Sequence, residues 1–383
     1  MKKFLKLTIV ILIMVKMNAM AEENANASDQ FYLYIGAYTQ GEEEGIYVYK
    51  FDATDGDLKY LSTATGVVNP SYLAIHPKNN LLIAVNETGD YEGEKSGSVS
   101  SFEINPENGS LRKLNQVPSG GGAPCYVSIN KSATLAFVAN YSGGNVSVFP
   151  IADHGKLMPY SILKQHSGSG PKESQKGPRA HAIVLDPKED YILAVDLGID
   201  KVISYAIGKK NDALKAQSEL ELTKGAGPRH LTFHPNKKLA FVISELNSTI
   251  TSCTYDTKSG KLTSVMTVNT LPDGFSGESY CADIHVSPNG KFLYGSNRGH
   301  DSIVIFKIDQ KTGELTYVDH HSVNGKWPRN FMIDPTGQFL LAANQNSNNI
   351  VVFKIDSETG KLRANGVEIE VSKPVCLKMM EIK

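Results

Sequence analysis

NNIVVFKIDSETGKL, residues 348–362, reads as a short alternating strand, a polar turn, and a Leu that opens the next strand. The pattern comes back in EGIYVYKFDATDGDL, SGSVSSFEINPENGSL, GGNVSVFPIADHGKL, IDKVISYAIGKKNDAL, NSTITSCTYDTKSGKL and HDSIVIFKIDQKTGEL, making seven copies in all. Seven β-units about fifty residues apart mean a closed propeller or an array, because one such unit cannot bury its own apolar face. Positions that all copies share are then scaffold. Positions that single copies change are where function lies.

A hairpin precedes each copy. The clearest are PRHLTFHPNKKLAFVISE (228–245) and PRNFMIDPTGQFLLAANQ (328–345). The others begin at anchors Pro70, Pro124, Ala180 and Cys281. Apolar residues fall three and five after each anchor, as in Leu231 and Phe233, which is the period of a strand. Turns such as Pro335-Thr336-Gly337 reverse the chain, and the returning strand is apolar throughout. Pro374–Met379 is an anchor with an inner strand only, and FYLYIGAYT (31–39) is a second strand with no inner strand before it. The two ends should therefore complete one blade together. The expected fold is all-β, a seven-bladed β-propeller over residues 31–383, closed by pairing of the N- and C-terminal strands.

Composition limits the rest. A formal charge of −1 gives no support for a nucleic-acid partner. Lys2, Lys3 and Lys6, the apolar run Leu7–Val15 and Ala19-Met20-Ala21 read as a signal peptide cleaved after Ala21. That run is too short to span a bilayer, and no Cys follows it to carry a lipid anchor. The expectation is export, to the periplasm, with residues 22–30 a disordered leader. Cys125, Cys253, Cys281 and Cys376 lie in strands of different repeats with no metal-ligand spacing, so they read as small buried hydrophobes. Nothing calls for a metal or a cofactor.

Two columns break the repeat. One after the anchor stand Ser71, Cys125, His181, Arg229, Ala282 and Arg329, and two after it Tyr72, Tyr126, Ala182, His230, Asp283 and Asn330. The second strand ends on Asn86, Asn140, Asp196, Ser244, Asn297 and Asn344, a near-constant amide or carboxylate suited to capping backbone groups. The next residue is Glu87, Tyr141, Leu197, Glu245, Arg298 or Gln345. Antiparallel pairing sets these columns side by side on one face of the disc, at the channel mouth. Arg suits carboxylate and phosphate recognition there. Glu245 and His181 can supply acid or base. The competing reading makes Arg229–Glu245 an ion pair that only ties strand ends together. His76, His234, His230 and, on the residues alone, His285 read as structural. The stretch His166–Gly177 is either a loop over the rim or a tolerated insertion.

GPRAHAIVLDP, DLGIDKV, GPRHLTFHP, SELNSTI, DIHVSPNGKFLYGSNRGHDSI and PRNFMIDPTGQFLLAANQNSNNIVVF resemble the lactonase family of propeller-type 6-phosphogluconolactonases and carboxymuconate cyclases. The resemblance covers essentially the whole mature chain and implies the same seven-bladed fold. It implies His181, Arg229, Glu245 and Arg298 as catalytic residues, all four in the columns where the repeats disagree. Asp283 departs from relatives that carry Glu there. Arg329, Asn330, Asp283, His285, His300 and Glu87 are candidate substrate-binding residues. The implied activity is hydrolysis of a sugar-acid lactone. The alternatives are muconate lactonisation, and an exported binding or scaffold propeller without turnover. The implied partner is a small anionic lactone or carboxylate.

Overall fold

A computed structural model describes residues 29–383 except 77, 79 and 209–212. The signal peptide and most of the expected leader lie outside the described residues. Among the described residues, no helix is long and apolar enough to cross a membrane.

The described residues form seven sheets of four antiparallel strands. Blades 1 to 6 span 70–118, 124–165, 180–221, 228–269, 280–322 and 328–370. Blade 7 takes its inner strand, Pro374–Glu381, from the C-terminus, and its other three from Gln30–Ala37, Ile46–Asp52 and Asp57–Ala64. Gln30–Ala37 pairs with Pro374–Glu381 from Phe31↔Glu381 to Ala37↔Pro374, so the ends close the ring as the repeat pattern expected. Gln30–Ala37 starts one residue before and ends two short of the expected 31–39, and Pro374–Glu381 runs two residues beyond the expected 374–379.

The core lies between blades. Leu135, Phe137 and Val146 of blade 2 pack with Ile183, Ile192 and Ile203 of blade 3, all buried. Full burial of such a side chain contributes roughly 1.5–3 kcal/mol, so each interface is a major share of stability. Hydrogen bonds stitch the same interfaces. His76 Nε2 meets the Lys131 carbonyl and His234 Nε2 the Gly290 carbonyl, each at 2.9 Å, which makes both histidines structural. The end-of-strand amides behave as scaffold: Nδ2 of Asn86, Asn140, Asn297 and Asn344 donates to the carbonyls of Val68, Ser119, Thr270 and Val323. All four cysteines are buried and free.

One feature of the inner strands was not foreseen. Each carries a β-bulge just after its anchor. Pro70 pairs with Asn86 but Tyr72 with Val85, and the same slip occurs at the start of all seven inner strands. In five blades the extra residue is Ser71, Cys125, His181, Arg229 or Arg329, which is the first variable column. A bulge leaves its extra residue unpaired and re-aims the side chain, a device common beside functional sites.

Candidate functional site

The second variable column is fixed by the backbone. In six blades the residue after the second strand donates its N–H to the carbonyl just before the anchor: Tyr38 to Lys373, Glu87 to Asn69, Tyr141 to Ala123, Leu197 to Arg179, Glu245 to Gly227 and Gln345 to Trp327. Asn69, Ala123, Gly227, Trp327 and Lys373 hold positive φ to present that carbonyl. This turn sets the second-column side chain beside the bulged residue of its own blade.

Glu245 is the hub. Its Oε2 lies 3.1 Å from Nε of Arg229 in its own blade and 2.8 Å from Nη2 of Arg298 in the next. The Arg229 Nε–H does not point along that contact and makes no hydrogen bond, so the pair is an ion pair without one. Arg229 Nη1 donates to the Ala282 carbonyl at 2.6 Å. Arg298 donates from Nε to the Tyr280 carbonyl and from Nη2 to the Cys281 carbonyl, and sits over the Trp327 ring. Burial works to raise the Glu245 carboxyl, but Arg298, Arg229 and Arg329 outweigh it and hold it below the usual range. Arg229 is pushed down to about 10 by burial and by the neighbouring Arg298 and Arg329.

Arg329 is held differently. It lies 3.8 Å from Glu87 and over the ring of Tyr38, whose hydroxyl donates to Glu87 at 2.9 Å. No hydrogen bond consumes its guanidinium among the described residues. His181 is buried, with Nδ1 3.7 Å from Cys125 Sγ and its ring against Tyr141 and His230. Burial, then Arg229, His230 and Arg329, hold it well below the ordinary histidine range, so it is a neutral imidazole at pH 7. Ser71 Oγ and Gln345 Oε1, in the same two columns, are buried without a hydrogen-bond partner. A polar ligand would satisfy them.

Beneath this layer, second-position residues of five inner strands meet. The Tyr72 and Tyr126 rings stack at 4.1 Å, and both lie edge-on to His230. Asp283 accepts from His230, His285 and Asn330. A cavity of about 550 Å³ runs from Tyr72 and Tyr126 to Lys131, Pro187 and Lys237, toward the end of the strands away from Glu245. The candidate site is thus a cluster of polar and charged side chains at one end of the inner hairpins, lying over this axial layer.

Of the sequence candidates, Arg229, Glu245 and Arg298 form one connected group, Arg329 and Glu87 a second, and Asp283, His285 and Asn330 belong to the axial layer. His300 stands apart: it meets Ser302 Oγ at 2.7 Å and the rings of Phe275 and His320. The segment 166–177 is mostly exposed but is anchored by two buried side chains. His166 Nδ1 lies 2.6 Å from Asp196 with both side chains buried, and Gln175 donates to the Leu197 carbonyl and to Asp200. Sequence reading missed Tyr38 and Trp327. Tyr38 had a signal: once the split blade is aligned like the others, it falls in the column of Glu87 and Glu245.

Residues 32–379 match the family model described as lactonase, 7-bladed beta-propeller. The chain belongs to the lactonase family. It is similar to a 6-phosphogluconolactonase of Bacillus subtilis, 37% identical over 301 residues, which are 79% of this chain and 84% of that one. A 6-phosphogluconolactonase of Formosa agariphila is 35% identical over 310 residues, 79% of this chain and 86% of the relative. Among solved structures, a periplasmic gluconolactonase of Pseudomonas aeruginosa superposes with a TM-score of 0.87 at 34% identity, covering 92% of this chain and all of that one (100%). In this lactonase, then, the variable columns bring together three guanidinium groups, two carboxylates and a neutral imidazole.

Proposed function

We propose that this lactonase hydrolyses a sugar-acid lactone, 6-phosphogluconolactone or gluconolactone, at the cluster around Glu245. The observation that carries the reading is the buried Arg229–Glu245–Arg298 bridge with neutral His181 beside it. Lactone hydrolysis places negative charge on the carbonyl oxygen as water adds. Guanidinium donors not already spent on Glu245 or on main-chain carbonyls stabilise that charge. Those are Nη2 of Arg229, since Nη1 is taken by the Ala282 carbonyl and His230, and the whole fork of Arg329. Neutral His181 takes a proton from the attacking water and returns it to the ring oxygen as the ester bond breaks. Glu245 is too firmly paired to be the better base; its role is to hold two guanidinium groups in place. Arg329, with Glu87 and Tyr38, receives the anionic or hydroxylated end of the substrate.

Export fits this reading. The leader sequence and the periplasmic P. aeruginosa relative both support it. An exported lactonase meets the free sugar lactone more than its cytoplasmic phosphate ester. Mass spectrometry of the N-terminus in the native host should find Ala21 removed; intact Met1 on soluble protein would reject export. Purified protein should open both δ-lactones, followed by acid release at constant pH. Consumption of a carboxymuconate in the ultraviolet, with inert lactones, would transfer the site to the cyclising reaction. Inertness toward both, with an anion still bound, would leave a binding propeller.

A further inference from the structure

Arg229 can serve a reaction only if its fork keeps one direction. Its Nη1 is pinned from two sides, by the Ala282 carbonyl at 2.6 Å and by His230 Nε2 at 3.2 Å. A guanidinium has donors and no acceptor, so the second contact is a hydrogen bond only when Nε2 is the bare nitrogen. The ring proton must then sit on Nδ1, which lies 2.7 Å from Asp283 Oδ1. The other neighbours of Asp283 give the same answer. His285 Nε2 lies 3.0 Å from its Oδ2, and the Ile284 N–H donates to Oδ1 at 3.0 Å. Asn330 presents its NH₂, because its own Oδ1 is taken by the Leu377 N–H at 2.8 Å. A carboxylate is therefore the group this position demands.

We propose that Asp283 and His230 are positioning residues for Arg229: the carboxylate fixes the His230 tautomer, and the tautomer fixes the direction of the guanidinium. The kinetic part rests on the lactone-hydrolase reading; the tautomer itself does not. Asp283→Asn keeps the shape but offers an NH₂ where every neighbour donates. With that NH₂ facing His230, the ring proton shifts to Nε2 and faces the Arg229 N–H.

The test has a kinetic arm and a spectroscopic arm. Asp283→Asn should lower kcat/KM for a lactone by about a hundredfold, most of it in kcat, as loss of an aimed charge-stabilising donor does. His230→Leu should match it. His230→Gln, whose amide can accept from Arg229 and donate to Asp283, should recover activity to within about tenfold of the parent. A purely structural role would instead lower rates only as far as the folded fraction falls, with no rescue by Gln. In the parent protein, two-dimensional ¹H–¹⁵N spectra of the imidazoles should show His230 protonated at Nδ1 and bare at Nε2. The opposite tautomer, or full rates in Asp283→Asn at the parental melting temperature, overturns the proposal. The Nδ1–H tautomer in a protein that opens no lactone would reject the lactonase reading and leave the positioning of Arg229 standing.

Discussion

A single carboxylate oxygen, Oε2 of Glu245, faces two guanidinium groups from neighbouring blades. Arg229 is buried, so removing the charge between it and Arg298 leaves like charges unscreened in low dielectric. Glu245→Gln should therefore cost about 3–5 kcal/mol of stability, the range for breaking a buried ion pair, and lower kcat/KM further than the folded fraction explains. Denaturant midpoints, read with activity per folded molecule, separate the two losses. An unchanged midpoint would show that Glu245 does not carry the pair. The histidines add a pH dependence with a definite sign. Burial and Arg229 push His230 down to about 4, and His181 is also lowered. Unfolded histidines titrate near 6.5, so the unfolded chain binds more protons between those values. The stability from keeping them neutral is fully present above about pH 6.5 and is lost as pH falls through their folded values. Asp283, held well below 3.8 against its burial by His285 and His230, adds a loss of the same sign in stronger acid. The melting temperature should fall steadily from about pH 6.5 to about pH 4.5. A flat profile there would mean that neither imidazole is buried neutral.

The inner hairpin divides labour between constant and variable positions. Asn140 donates from Nδ2 to the Ser119 carbonyl and to Asn145 and Ser147, and to no candidate site residue. Asn140→Ala should cost about 1–3 kcal/mol, the penalty for leaving a buried polar group unpaired, while kcat/KM per folded molecule stays at the parental value. A fall in kcat/KM at unchanged stability would place that amide in the site instead. The same division explains what could be read from sequence. The period-two strands, the turns, the constant amide and the variable columns are all properties of side-chain type. Side-chain type alone places Arg229, Glu245, Arg298 and Asp283 near one another. The bulge is a property of backbone register, and its occupants range from Ser71 to Arg329, so no residue type betrays it. Nor could sequence show that His300, in a string as distinctive as SNRGHDSI, makes its contacts with Phe275 and His320. Tyr38 was lost for a simpler reason: its blade is cut by the termini, and the column was read over six blades only.

At the scale of the whole molecule, stability sits in interfaces between neighbours arranged in a ring, and the last of these depends on both chain ends. Leu377 lies in the same buried cluster as Leu33, Ile35 and Phe51 of its own blade and Leu341 and Ile350 of blade 6. Cys376 Sγ meets the Leu73 N–H of blade 1 at 3.3 Å. The C-terminal strand therefore joins blade 7 to both neighbours and fills the inner edge of the blade itself. Leu377 also bears on the candidate site, because its N–H orients Asn330 toward Asp283. Deleting 372–383 should strip the inner strand from blade 7, expose the edge of Gln30–Ala37, and open the apolar faces of blades 1 and 6. An unpaired edge beside an apolar strip invites intermolecular pairing, so the expected products are aggregation and loss of a cooperative melt. A circular permutant supplies the control. It joins the two ends by a flexible linker and opens the chain in the exposed loop 92–95, leaving every blade complete. The permutant should melt cooperatively near the parental temperature and retain lactone hydrolysis. A truncated protein that matched the parent in both, or a permutant as damaged as the truncation, would show that ring closure through the terminal strand is not what holds the molecule together.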